Sequence, residues 1–319
     1  MPEVAVKQKA PVLTDEQIDQ MLQQIADGFA KQLRSPIMHV PSELGLNFEA
    51  VTFPSLDGTT LEGWFIPAAG SNKIVICNHP MGFSRSGLPA HLDPWKSAWA
   101  SSGNDFEVNF IPDYKILHDA GYNVLTYDLR NFGLSSDGNG GIGSSGIFES
   151  RDVIGSLLYV RSREETRNMT IGMFSRCLGC NSTLYAMKTH PEAFEGVRCL
   201  VGPQPLNTKT IIKKQLGLAG VPEDRIDDLD LRVILKTSIG FDARNCLDWT
   251  KSVCVPTFLY QVHDDVLTIP GDMELMFDNI PLKEKKLFWI EGTTRRWDGY
   301  AYFQHHPELM LDWFATYMA

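Results

Sequence analysis

The chain has 319 residues, 43% of them hydrophobic and 21% charged, which are the proportions of a globular protein and exclude a fibrous or disordered one. A formal net charge of −10 argues against nucleic acid or an anionic membrane surface as partner. No apolar run approaches the roughly 18 residues of a membrane span.

The first residues, Met1-Pro-Glu-Val-Ala-Val-Lys7, lack the basic and apolar regions of a secretory signal. The cysteines at 77, 177, 180, 199, 246 and 254 are scattered through apolar segments, so reduced thiols in a cytoplasmic protein are expected. Thr14-Asp15-Glu16-Gln17 then has the spacing of a capping box. Behind it, Ile18, Met21, Leu22, Ile25, Phe29 and Leu33 follow helical spacing, which predicts an amphipathic helix over 14–34. Residues 1–45 therefore read as an N-terminal helical extension. Its apolar face needs cover, either from the chain's own domain or from a second copy in a homodimer.

Strand-like runs begin with 48–53 and 61–66, which flank the turn Ser55-Leu-Asp-Gly58. Residues 73–78 form a short apolar run, as a strand buried on both faces requires. Runs at 122–127, 169–174, 197–201, 257–262 and 286–290 repeat it. Helix-like segments at 112–120, 148–163, 181–188, 272–279 and 307–317 separate most of them. Strands alternating with helices predict an α/β fold with a doubly wound, mostly parallel eight-stranded sheet over 46–319. Two connections are long, 83–111 and 203–252, and read as lid insertions.

Ser175-Arg176-Cys177-Leu178-Gly179 sits between the 169–174 run and the 181–188 helix. Strand, sharp small-residue turn and helix is the setting of the G-x-S-x-G nucleophile elbow, here with Cys177 at its tip. A sulfur at a helix N-terminus is in a position that favours the thiolate, the reactive form.

From these residues the chain resembles the α/β-hydrolase superfamily over about 46–319, closest in look to dienelactone-hydrolase-like and acyl-peptidase-like esterases. The segment from Phe53 to Trp64 looks like that group's opening hairpin. Asn78-His79-Pro80-Met81-Gly82 is similar to its H-G-x-G loop, and Asp128-Leu-Arg-Asn-Phe-Gly-Leu-Ser135 to its D-x-R-G-x-G-x-S segment, with Asn131 in place of a glycine. The resemblance implies Cys177 as nucleophile and an oxyanion hole from the N–H groups of Leu178 and Met81. It implies an acid after the seventh strand, where Asp265 needs a one-residue shift and Asp264 is the alternative. It implies a histidine after the eighth strand, and here the chain departs. Glu291-Gly-Thr-Thr-Arg-Arg-Trp-Asp-Gly-Tyr300 contains none, so His305 or His306 would have to fold back. His79 is the fallback base. Arg176, Arg295 and Arg296 are possible substrate contacts, although an arginine stays protonated and cannot be the base.

The expected function is acyl chemistry, a hydrolase such as an esterase or thioesterase, or an acyl transfer enzyme, acting on a thioester, lactone or activated ester of a small apolar or aromatic molecule. Trp95, Trp99, Phe106, Phe110, Trp249, Trp297 and Tyr300 are available to line its pocket. No cofactor or metal is called for. The alternatives are a non-hydrolytic lyase or cyclase, a non-catalytic ligand-binding protein, and redox work by the C-x-x-C of Cys177 and Cys180.

Overall fold

Short, continuously apolar strands place the centre of the molecule. The computed structural model describes residues 13–319, so the reading of residues 1–7 lies outside the described residues. The strands are β1 (Glu49–Pro54), β2 (Thr60–Ile66), β3 (Lys73–Asn78), the two-residue β4 (Gly87–Leu88) and β5 (Val108–Asn109), β6 (Asn123–Tyr127), β7 (Thr170–Ser175), β8 (Val197–Pro203), β9 (Thr257–Val262) and β10 (Lys285–Ile290). Eight of them form one sheet in the order β1-β2-β6-β3-β7-β8-β9-β10. β2 runs antiparallel to both its neighbours, and every other pairing from β6 to β10 is parallel. β4 and β5 make a separate small hairpin inside the 83–111 lid.

Ten helices complete the described chain: α1 (Asp15–Ala30), α2 (Trp95–Trp99), α3 (Ile111–Asp119), α4 (Ser150–Ser162), α5 (Leu178–Thr189), α6 (Thr208–Leu218), α7 (Ile226–Thr237), α8 (Pro270–Asn279), α9 (Asp298–His305) and α10 (Glu308–Tyr317). The sheet carries apolar layers on both faces, as a parallel sheet must. α4, α5 and α8 pack on one face through residues such as Leu157, Leu184 and Met276. α3, α9 and α10 pack on the other through Tyr114, Phe303 and Phe314. Among the described residues, no helix is long and apolar enough to cross a membrane.

The N-terminal helix differs from its expectation in two ways. It stops at Ala30, because Lys31 is already extended (φ −145°, ψ 115°). Its apolar face, with Ile18, Leu22, Ala26 and Phe29, packs on α6 and α7 of the 203–252 insertion through Ile212, Leu216, Leu229 and Val233. Asp19 bridges Arg225 at 2.6 Å and Arg232 at 2.9 Å across the same seam. The face that a partner subunit would have covered is therefore occupied within the chain. α1, α6 and α7 together make a helical cap over the C-terminal ends of the central strands.

Candidate active site

β7 delivers the chain to a turn that few residues other than glycine tolerate. Cys177 has φ 49° and ψ −108°, outside the ordinary regions for a side-chain-bearing residue. The surroundings hold it there. Its N–H donates to the Pro203 carbonyl at 2.8 Å, and its carbonyl accepts from the Asn181 N–H at 2.9 Å as the first bond of α5. Gly179 is required two residues on, since a Cβ there would lie 2.5 Å from the Asn78 Cβ. Ser175, in place of the elbow's first glycine, accepts from Asn78 Nδ2 at 2.8 Å and ties the 78–82 loop to the elbow.

The consequence is a pair of free backbone donors in the cavity that holds Cys177. Neither the Leu178 N–H nor the Met81 N–H has a partner among the described residues, and both residues line the same cavity as Cys177. Unpartnered backbone donors next to an elbow are suited to a carbonyl oxygen that gains charge. The D-x-R segment braces this loop from behind. Arg130 is fully buried and binds Asp152 through two nitrogens (Nε to Oδ1 2.9 Å, Nη2 to Oδ1 2.7 Å). Asn131 has φ 69°, the left-handed conformation that the replaced glycine would adopt and that asparagine accepts more readily than most. Gly133 has no such latitude: a Cβ there would fall 2.1 Å from Asp128 Oδ2.

The acid–base half of the site is built differently. Asp265 is buried at 4% exposure and accepts from the Leu267 N–H at 3.0 Å, Thr268 Oγ1 at 3.0 Å and Arg296 Nη1 at 2.8 Å. Asp264 is exposed and pairs with His263 at 2.8 Å. Arg296 therefore lies against Asp265 where a histidine was sought. Its Nη2 also donates to the Gln204 carbonyl, its own carbonyl accepts from Gln204 Nε2 at 2.7 Å, and its Nε donates to the Tyr300 hydroxyl at 3.2 Å. That hydroxyl belongs to a residue lining the same cavity as Cys177. Burial by itself pulls the Arg296 value down, but Tyr300, Cys177 and Asp265 around it prevail and hold the guanidinium charged. Burial pushes the Tyr300 phenol well above its usual range, so it stays a neutral hydroxyl and a donor.

Among the described residues, no histidine lines this cavity. His305 and His306 are exposed at the C-terminal end of α9, with the His306 ring tilted by 35° against Tyr302 at 4.8 Å. The segment that would have had to fold back is a helix from Asp298, which turns about 100° per residue. Tyr300 faces the cavity, so His305, five residues on, is directed away from it. His79 is buried and has both nitrogens engaged: Nδ1 bonds the Pro80 carbonyl at 2.7 Å, and Nε2 accepts from the Leu129 N–H at 2.9 Å. Burial, helped by Arg85 and Arg176, pulls its value down to about 4, so it is a neutral brace for the loop. Arg295 is exposed and pairs with Asp298. Arg176 turns behind the elbow, 3.9 Å above the Phe174 ring and 3.5 Å from buried Asp113. Neither arginine lines the cavity, so neither contacts a substrate there.

The cavity itself occupies about 640 Å³ counting its mouth. Cys177, Arg296 and Tyr300 form its floor, Phe83, Trp99 and Trp297 one wall, and Leu206, Thr208, Ile211 and Ile212 of the cap the other. Of the aromatics singled out from sequence, Trp99, Trp297 and Tyr300 line it, while Phe110 and Trp249 pack in the cores and Trp95 and Phe106 sit against them. Phe29 of α1 also lines it, as does Phe83. Nothing in the helix spacing of 14–34 marked Phe29 as a wall residue, because only the cap brings α1 there. Cys180, the second cysteine of the C-x-x-C, is in the core layer with α4 and α5, and burial pushes its thiol up. Among the described residues, no group of three or more His, Cys, Asp or Glu side chains is arranged to hold a metal.

No family model matches the chain. Among curated proteins, the uncharacterised protein YfhR of Salmonella typhimurium is 28% identical over 142 residues, 44% of this chain and 40% of that one. The match thus spans less than half the length of that relative. Among solved structures, the chain resembles esterase Pf2001 of Pyrococcus furiosus (TM-score 0.66, 20% identity, 91% of this chain and 100% of that one). It also resembles dienelactone hydrolase of Anabaena variabilis (TM-score 0.53, 16% identity, 86% of this chain and 99% of that one). The strand order, the elbow between β7 and α5 and these likenesses together show that the chain has the α/β-hydrolase fold.

Proposed function

We propose that the protein is an acyl-processing enzyme of the hydrolase type, with Cys177 as nucleophile. Its substrate class is a thioester, lactone or activated ester of a small, mostly apolar molecule. The observation that carries this reading is the strained cysteine elbow at the floor of an apolar cavity, beside two unpartnered backbone donors. A backbone strain of this kind, of order 1–3 kcal/mol, persists only where the surroundings enforce it.

The sulfur attacks the acyl carbon, and the carbonyl oxygen takes the negative charge against the Leu178 and Met81 N–H groups. The thiol proton passes to the leaving heteroatom, with the Tyr300 hydroxyl as the donor at hand. The products of this half-reaction are an acyl thioester on Cys177 and a free thiol or alcohol. Arg296, fixed by Asp265 and Gln204, keeps the Tyr300 hydroxyl oriented. A thiol tolerates this arrangement better than a serine hydroxyl, since part of it is ionised near neutral pH without a base. Leaving groups that depart readily suit it for the same reason.

The replacement of the histidine by Arg296 favours one second reading. A lyase or cyclase could use the two N–H groups and Tyr300 to stabilise an enolate without any bond to sulfur. Turnover of an N-acetylcysteamine thioester or p-nitrophenyl ester separates the readings. Cys177→Ala should abolish it and Cys180→Ala should keep most of it. Equal loss in both, with an intramolecular disulfide on oxidation, would instead point to redox work.

A further inference from the structure

We propose that the Thr208 hydroxyl is a substrate contact, and that it selects an acyl chain carrying a second oxygen, hydroxyl or keto, away from the reacting carbonyl. The proposal rests on the acyl-processing reading of Cys177. Thr208 is 3% exposed, lines the cavity, and its Oγ1 has no hydrogen-bond partner. A buried hydroxyl is ordinarily bonded, as several buried serines and threonines of this protein are, while the Tyr127 and Tyr260 hydroxyls in the core also have no partner. Thr183 Oγ1 donates to the Gly179 carbonyl at 2.8 Å, Ser182 Oγ to the Leu178 carbonyl at 2.6 Å, and Thr237 Oγ1 to the Val233 carbonyl at 2.8 Å.

The usual reason for a threonine at a helix start is capping. Here Asn207 already does that, its Oδ1 accepting from the Lys209 N–H at 3.1 Å. The Thr208 hydroxyl is thus left without a partner in a residue of the cavity wall. It is also held in place: Leu206, two residues earlier, exchanges hydrogen bonds with Asn181 on α5, at 3.3 Å to its N–H and 2.9 Å from its carbonyl. On α6 the residues facing the cavity are Thr208, Ile211, Ile212 and Gln215, at spacings of three and four. This face is polar at one end, apolar in the middle and polar at the other. An unbranched hydrocarbon acyl chain would leave Thr208 unpaired, whereas a chain with an oxygen at the right carbon would pair it. A site built to bond a polar group rejects the analogue that lacks it.

The experiment compares octanoyl with 3-, 5- and 7-hydroxyoctanoyl N-acetylcysteamine thioesters, reading kcat/KM for Cys177 acylation as a ratio to octanoyl. Wild type should prefer one hydroxylated probe by about tenfold or more, Thr208→Val should bring the ratio to about one, and Thr208→Ser should restore it. A parallel arm measures binding of 1-octanol and octanediols by the fluorescence of Trp99 and Trp297, and needs no turnover. No preference in either arm, or a preference that survives in Thr208→Val, overturns the proposal. A diol preference that depends on Thr208, with no acylation of Cys177 by any probe, upholds the contact and overturns the acyl reading. Equal binding of all probes in every variant shows a hydroxyl satisfied by buried water only, and also overturns it.

Discussion

The two sides of the cavity floor follow different rules. On the nucleophile side, every part that an acyl-processing elbow needs is present: a residue held at φ 49°, a glycine forced by the 2.5 Å approach of Asn78, and a pair of unpartnered N–H groups. On the acid–base side, the acid is in place but bonds an arginine, and that arginine bonds a tyrosine hydroxyl in the same cavity as Cys177. On the proposed reading the first side would receive the developing charge, and the second would donate a proton but has no group free to accept one. His79 is committed to two backbone groups, and Asp265 already takes three donors. On the proposed reading, loading an acyl group onto sulfur would be the step this site favours, and hydrolysis of the acyl enzyme the slow one.

The comparison breaks most easily at Tyr300. Tyr300→Phe keeps the packing and removes the donor, so acylation of Cys177 should slow by about 10²-fold, the scale of losing one well-placed donor. An unchanged rate would take the phenol out of the reaction.

Arg296→Ala tests whether the base side is held by its ion pair. Asp265 would remain buried and without its cation, and denaturant melts should report a loss of about 3–5 kcal/mol. A loss below 1 kcal/mol would mean that the 2.8 Å pair contributes little.

His79 should reveal its role as a brace in the pH dependence of stability. Its folded value of about 4 lies below the ordinary 6.5, so in that window the unfolded chain binds more protons. The stability it contributes is full above pH 6.5, falls as the pH drops, and is lost below about 4. By pH 5 the loss is about 2 kcal/mol. Urea midpoints at pH 7 and 5 should therefore differ less in His79→Asn than in wild type.

The smallest expected effect is none. His305→Ala and His306→Ala should each leave acylation within about twofold of wild type, since both side chains are exposed and neither lines the cavity. A 10²-fold fall in either would restore a histidine base.

What the sequence disclosed follows from how local each feature is. The eight main strands are legible because buried parallel strands are short apolar runs, and the observed β3 and β9 coincide with the expected 73–78 and 257–262. The elbow is legible because one strained turn demands small residues at fixed spacing. The position of the 78–82 loop follows from its order in the chain. The base side was not legible, because it depends on where a loop goes. Asp298–Tyr302 has no strong apolar period and includes Gly299, so α9 reads as loop from sequence and leaves the histidines after it free to reach back. Arg295 and Arg296 are neighbours in sequence, yet one is exposed and the other is 2% exposed. Nothing local distinguishes them. The cap was hidden for the same reason: Phe29 and Thr208 are about 180 residues apart, and only the packing of α1 on α7 sets them around one cavity.

The central claim is that Cys177 takes an acyl group and holds it. Intact mass spectrometry after brief mixing with an octanoyl N-acetylcysteamine thioester, followed by peptide mapping, tests it directly. The account predicts a single acyl adduct on the peptide containing Cys177, formed faster than it is lost, and none in Cys177→Ala. Turnover that proceeds in Cys177→Ala, or an adduct that maps to another cysteine, would contradict it.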